Sequence, residues 1–174
     1  KYKIYAALAF ARENNLNRIV INSDAPKLGI ITAGKSYLDV LQAFDDLGID
    51  ETLAAKIGIR LYKVGMPWPL EPVTTHEFAK DLDEILVVEE KRSVMEDQLT
   101  GQLYNWPLDK RPRVVGEYDE HGNDLLTNLA ELTPAMIARV IAARLARYYS
   151  SDTITARVEF INSKEQTLAK PRII

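Results

Sequence analysis

Cysteine is absent from the chain. That excludes disulfides, thiolate zinc sites and any iron–sulfur cluster held by its own side chains. Histidine is nearly absent too: His76 and His121 are too few and too far apart in sequence to suggest a histidine-based metal site. No basic surplus exists, with 22 Lys and Arg against 25 Asp and Glu and a net charge of -3. A nucleic-acid binder usually carries such a surplus or a basic stripe, so no nucleic-acid partner is expected. Long apolar runs are missing as well. Ile85-Leu86-Val87-Val88 is strand-sized and far short of a membrane span, so no membrane partner is expected either. The first residues, Lys-Tyr-Lys-Ile, lack the apolar stretch and cleavage site of a secretion signal. We read the sequence as a piece of a longer cytoplasmic polypeptide.

What is present fits a globular domain. The 174 residues are 47% hydrophobic and 27% charged. Residues 1–22 read as a leading helix and a short edge strand, Arg18–Asn22. Buried-strand runs then alternate with amphipathic helices through residue 150. The strands are Leu28–Thr32, Ile59–Val64, Glu84–Glu89 and Arg113–Gly116. Capping boxes are expected at Ser36 with Asp39, at Thr74–Glu77 and at Ser93–Glu96, and Thr133-Pro134 opens a further helix. Leu38, Leu41 and Phe44 form the predicted inner stripe of the helix after the first buried strand, and Gly48 suits its left-handed end. Ile137, Val140, Ile141, Leu145 and Tyr148 stripe the helix after Pro134, leaving Arg139, Arg144 and Arg147 largely outside. Asp119–Asn123 reads as a polar turn with Glu120 exposed. Residues 151–174 read as a helical tail or linker toward a following domain. Such alternation predicts an α/β fold, a mostly parallel sheet covered on both faces.

One motif match is sharp. Gly29-Ile-Ile-Thr-Ala-Gly34-Lys35-Ser36 has the spacing of a phosphate-binding P-loop, and Glu89-Glu90 imitates a Walker B acid. However, Ile30 and Ile31 occupy the strand centre, where a P-loop needs free amides. The alternative for Gly34-Lys35-Ser36-Tyr37 is a tight strand-to-helix turn. In an open α/β sheet such turns lie at the carboxyl ends of the strands, where ligands and partners dock. Met66-Pro67-Trp68 and Glu89-Glu90-Lys91-Arg92 fall at the same edge. These eleven residues form the candidate interface or ligand edge.

The succession of segments is more specific than any one of them. Gly29–Val40, Lys63–Pro72 and Ile85–Arg92, continued by Glu96, Gln98-Leu99 and Glu131–Met136, resemble the indolepyruvate ferredoxin oxidoreductases. These belong to the thiamine-diphosphate-dependent 2-oxoacid oxidoreductases, and the likeness is to their long fused bacterial form. It extends from about Leu28 to Tyr149. The resemblance implies a three-layer α/β/α sandwich like the transketolase C-terminal domain, with four parallel strands and an antiparallel edge strand. It also implies a homo-oligomeric parent that oxidatively decarboxylates arylpyruvates to aryl-acetyl-CoA. Thiamine diphosphate, magnesium and iron–sulfur clusters would serve that parent, with a 2-oxoacid, coenzyme A and ferredoxin as its partners. A Gly-Asp-Gly motif with a distant Asn is missing here, as are cluster cysteines, so no catalytic, cofactor or metal residue carries over.

The leading reading is a non-catalytic assembly domain contacting other domains of that parent. A small P-loop nucleotide-binding module and a flavodoxin-like protein-interaction domain are the alternatives.

Overall fold

A computed structural model describes residues 2–126 and 131–169. The elements run α1 (Tyr2–Glu13), β1 (Arg18–Ile21), β2 (Leu28–Ala33), α2 (Gly34–Leu47), α3 (Glu51–Lys56), β3 (Ile59–Val64), α4 (Pro72–Ala79), β4 (Glu84–Val88), α5 (Val94–Leu103), β5 (Arg113–Val115), α6 (Pro134–Leu145) and α7 (Asp152–Ala169). One sheet of order β1-β3-β2-β4-β5 results. β2, β3, β4 and β5 are parallel, and β1 pairs antiparallel with β3 at the edge. The expected sandwich with its antiparallel edge strand is thus the fold observed.

Alternation along each strand divides the core in two. Leu28 and Ile30 of β2, Leu61 of β3, and Leu86 and Val88 of β4 face the helices α2, α3, α6 and α7. Ile31, Tyr62, Ile85 and Val87 face α4 and α5 on the other side. Every residue of β4 is buried, which explains the unbroken apolar run in its sequence. Each such aliphatic side chain contributes about 1.5–3 kcal/mol. Tyr62 and Phe78 stack with ring centroids 4.8 Å apart, joining β3 to α4. α7 packs on α2 and α6, placing Ile154 and Ile161 in the first cluster.

Several local expectations need correction. Ser36 does not cap α2. The helix starts at Gly34 with Ala33 at its N-cap, and Ser36 is buried within the first turn. Gly48 does close α2 in the left-handed region, at φ 70°. Of the predicted stripe only Phe44 is buried; Leu38 is 63% and Leu41 37% exposed, while Val40, Ala43 and Leu47 face the sheet. The buried face of α2 lies one helical face round from the predicted stripe. α4 begins at Pro72, so the Thr74–Glu77 box lies inside it. Its cap is Glu71, whose carboxylate accepts from the Val73 and Thr74 amides at 3.1 and 2.8 Å. Arg12 Nη1 donates to the same buried carboxylate at 3.2 Å and so anchors α1. Thr133 caps α6 as expected, accepting from the Met136 amide.

Arg144 lies inside, not outside. It meets the fully buried Glu84 in a bidentate pair, Nε to Oε1 at 2.5 Å and Nη2 to Oε2 at 2.6 Å. Glu120 is not a free turn residue either, since it accepts from Arg144 Nη1 and Arg147 Nη2 at 2.8 and 2.5 Å. Those guanidiniums, Arg144 first, pull its carboxyl down to about 2.

Candidate functional site at the carboxyl edge

From β2 the chain turns into α2 on one face of the sheet, and from β4 it turns into α5 on the other. Between the carboxyl ends of these neighbouring strands lies a topological switch point, the position at which open α/β sheets form a crevice. All eleven residues expected at the edge lie along it or on the loops that flank it.

Gly34 makes the turn out of β2 at φ 56°, a region that favours glycine. Lys35 follows and reaches over the crevice. Its Nζ lies 2.9 Å from Asp39, 3.3 Å from Glu131 and 3.5 Å from Glu90. The Asp39 contact, with Glu131 and Glu90 behind it, holds the ammonium above its ordinary value. This single cation therefore ties α2 to the β4–α5 turn and to the segment before α6. Tyr37, two residues on in α2, carries Lys63 Nζ over its ring at 4.5 Å.

The loop after β3 is held from two sides. Asn17, buried before β1, accepts from the amides of Gly65 and Met66 at 2.9 and 3.1 Å. A Cβ on Gly65 would stand 2.5 Å from the Leu16 carbonyl oxygen, so only glycine lets the two chains pass. From α5, Gln98 accepts from the Leu70 amide and donates to the Pro67 carbonyl, each at 2.8 Å. Met66 is half-buried, Pro67 is exposed, and Trp68 is 64% exposed at the tip. Trp106 instead packs against the second core cluster, edge-on to the half-buried His76 at 5.3 Å.

The Glu89–Arg92 run divides. Glu89 folds inward and caps α5, accepting from the Met95 and Glu96 amides at 2.9 and 3.0 Å. Ser93, expected to do that, makes no cap bond and donates to Glu117 instead. Glu96 accepts from the Glu117 amide at 3.1 Å. Burial pushes the carboxyls of Glu89 and Glu96 above their ordinary values, against the amide bonds that favour the charged forms. Glu90 pairs with Lys35, whereas Lys91, at φ 73°, and Arg92 are exposed.

Chemically this edge is anionic. Asp39, Glu89, Glu90, Glu96, Glu117 and Glu131 surround it, and its central lysine is already engaged. A bare diphosphate beside these carboxylates would meet repulsion, offset in part by the exposed Lys91 and Arg92. The P-loop reading fails on geometry, because Gly29 sits inside β2. A Cβ there would lie 2.4 Å from Leu82 Cδ1 and 2.9 Å from Phe78 Cζ. The glycine admits α4 to the sheet. Among the described residues no group of three or more His, Asp or Glu is arranged to hold a metal.

Sequence reasoning missed the Glu84–Arg144 pair at the opposite edge. A signal existed: a carboxylate opening an otherwise apolar buried strand requires a cation, and Arg144 continues the Ile137–Ile141 stripe at helical spacing.

A family model described as indolepyruvate ferredoxin oxidoreductase middle domain matches residues 17–170. The "Indolepyruvate oxidoreductase subunit IorA" of Pyrococcus abyssi is 32% identical over 116 residues, covering 67% of this chain and 16% of that protein. Its counterpart in Methanothermobacter marburgensis is 33% identical over 121 residues, covering 67% and 18%. The chain thus spans less than a fifth of the length of these curated relatives. A solved 2-oxoglutarate:ferredoxin oxidoreductase from Magnetococcus marinus aligns with 78% of this chain and 22% of its own, at TM-score 0.48 and 17% identity. The family match takes in all five strands and every helix from α2 to α7, and so the chain belongs to the indolepyruvate ferredoxin oxidoreductase middle-domain family.

Proposed function

We propose that the chain is a non-catalytic assembly domain of a cytoplasmic 2-oxoacid:ferredoxin oxidoreductase that oxidatively decarboxylates arylpyruvates such as indolepyruvate. In this reading the thiamine diphosphate, magnesium and iron–sulfur clusters reside elsewhere in a homo-oligomeric parent. Coenzyme A, the 2-oxoacid and ferredoxin meet those other parts. The observation that carries it is the switch point, occupied by the Lys35 ion pairs and ringed by carboxylates. Such an edge suits protein contact better than a phosphorylated cofactor. Gly34, Lys35, Ser36, Tyr37, Met66, Pro67, Trp68, Glu89, Glu90, Lys91 and Arg92 form the proposed interface, with Ser36 buried as its support. No helix among the described residues is long and apolar enough to cross a membrane.

The test supplies the purified chain with thiamine diphosphate, magnesium, coenzyme A and indolepyruvate and follows reduction of an acceptor dye. No turnover above the enzyme-free control is expected, and calorimetry is expected to show no saturable thiamine diphosphate binding. Turnover or binding overturns the non-catalytic reading. In the full-length enzyme, Lys91→Glu is expected to impair assembly or turnover more than Asp109→Lys, a change at another exposed position. Equal effects remove the interface from this edge.

A further inference from the structure

A second surface remains unpartnered. Beside α2, over the face of β1, runs an open groove of about 640 Å³ whose apolar walls include Val20, Tyr37, Leu38, Leu41 and Phe44. Leu38 and Leu41 stand at i and i+3 on α2, and they are 63% and 37% exposed. They lie one helical face away from the residues that pack on the sheet, so α2 carries two apolar faces and this domain covers one of them.

Charge along the groove is polarised. At the carboxyl-edge end, Lys63 sits over the Tyr37 ring. At the other end Asp45, Asp50 and Glu51 line the wall, and none of them forms an ion pair among the described residues. Asp50, which is exposed, accepts from the Leu53 amide as the cap of α3. The C-terminal end of α2 adds its negative dipole at the same place. In an antiparallel pair of copies the Lys63 end of one would approach these carboxylates of the other, and the test below separates that arrangement from docking of another segment.

We propose that this groove seats an amphipathic helix from the remainder of the parent enzyme. Its apolar face covers Leu38 and Leu41, and Lys or Arg residues cluster at the end beside Asp45, Asp50 and Glu51. This rests on the reading of the chain as one domain of a longer enzyme. The matched relatives, of which the chain covers only 16–18%, have ample sequence to supply such a helix. Neighbouring helices on a sheet face pack about 8–10 Å apart, the spacing that a helix seated beside α2 would take, with α3 closing the groove at its acidic end. From Tyr37 to Asp45 the groove follows a length of about 12 Å, matched by a helix of two to three turns.

A photo-reactive benzoylphenylalanine placed at Leu38 in the full-length enzyme tests this, with the same group at exposed Leu108 as control and at Leu41 as a second probe. Irradiation followed by peptide mapping is expected to give an adduct with a basic amphipathic segment of the parent. Its yield is expected to fall several-fold in the combined Asp45→Asn, Asp50→Asn and Glu51→Gln variant, which keeps the α3 cap. Adducts with an acidic or extended segment, adducts with the same groove of a second copy, or yields at both probes no greater than at Leu108 overturn the proposal. The readout is a covalent adduct and not turnover, so it stands apart from whether the parent oxidises arylpyruvates.

Discussion

Replacing Arg144 with methionine removes the bidentate partner of a carboxylate that has no access to water. Breaking a buried pair from one side costs about 3–5 kcal/mol, because the remaining charge is left without compensation. Here the loss is moderated. Arg147 Nη1 and Arg113 Nη1 stand 3.4 and 3.5 Å from Glu84 Oε2, although both side chains are more than a third exposed. The lower end, about 3 kcal/mol, is therefore expected. In a domain of this size that corresponds to a fall in Tm of about 6–12 °C. Removing both charges with Glu84→Leu and Arg144→Met leaves no orphan, and the double variant is expected within about 1 kcal/mol of the parent. Urea unfolding of the parent, the two single variants and the double variant, followed by far-UV circular dichroism, completes the cycle. An Arg144→Met protein within 1 kcal/mol of the parent, or a double variant as unstable as the sum of the singles, refutes the reasoning.

Three further changes are informative. Gly29→Ala forces a Cβ against Leu82 and Phe78 and is expected to cost about 1–3 kcal/mol, read as a lower urea midpoint. Lys35→Ala is expected to leave the urea midpoint close to that of the unsubstituted chain, since its side chain is half exposed and its pairs are screened by water. Magnesium-ATP is expected not to bind the parent chain saturably, and equilibrium dialysis checks it. Glu96→Gln addresses pH. A carboxyl whose folded value is raised contributes most below its unfolded value and loses that contribution as pH rises through the folded one. The neutral variant is therefore expected to melt higher than the parent at pH 8 and equally at pH 4. A variant less stable at pH 8 would show that the charge of Glu96 stabilises its site.

The sheet was legible in the sequence because its signals are local and redundant. Ile59–Val64 stands where its apolar run placed it, and Gly48 closes α2 as a glycine after a helix should. The edge character of Arg18–Ile21 also followed from its shortness and its polar borders. Capping was less legible, since the motif S/T-x-x-E describes only one way to satisfy helix amides. Glu89 reaches α5 across a turn of its own, seven residues before Glu96, and no fixed spacing encodes that. Leu38 and Leu41 misled for a related reason: periodicity says that a face is apolar, without saying what covers it. Arg144 shows that position in an apolar stripe can outweigh charge when a buried carboxylate waits opposite.

The antiparallel edge strand also has a consequence for synthesis. Arg18 pairs with Lys63, which is joined to the chain 45 residues later. At usual elongation speeds of about 5–20 residues per second, β1 waits about 2–9 s for its partner. During that interval Ile19-Val20-Ile21 is a short β-prone segment on a nascent polypeptide, without its sheet to bury it. Arg18 beside it acts as a charged guard against pairing with other chains, and the irregular register between Ile19 and Ile21 shortens the regular edge later offered by the folded sheet. Variants that neutralise Arg18 are thus expected to lower the yield of soluble protein, read by centrifuging fresh lysates, before they change the melting of the finished domain.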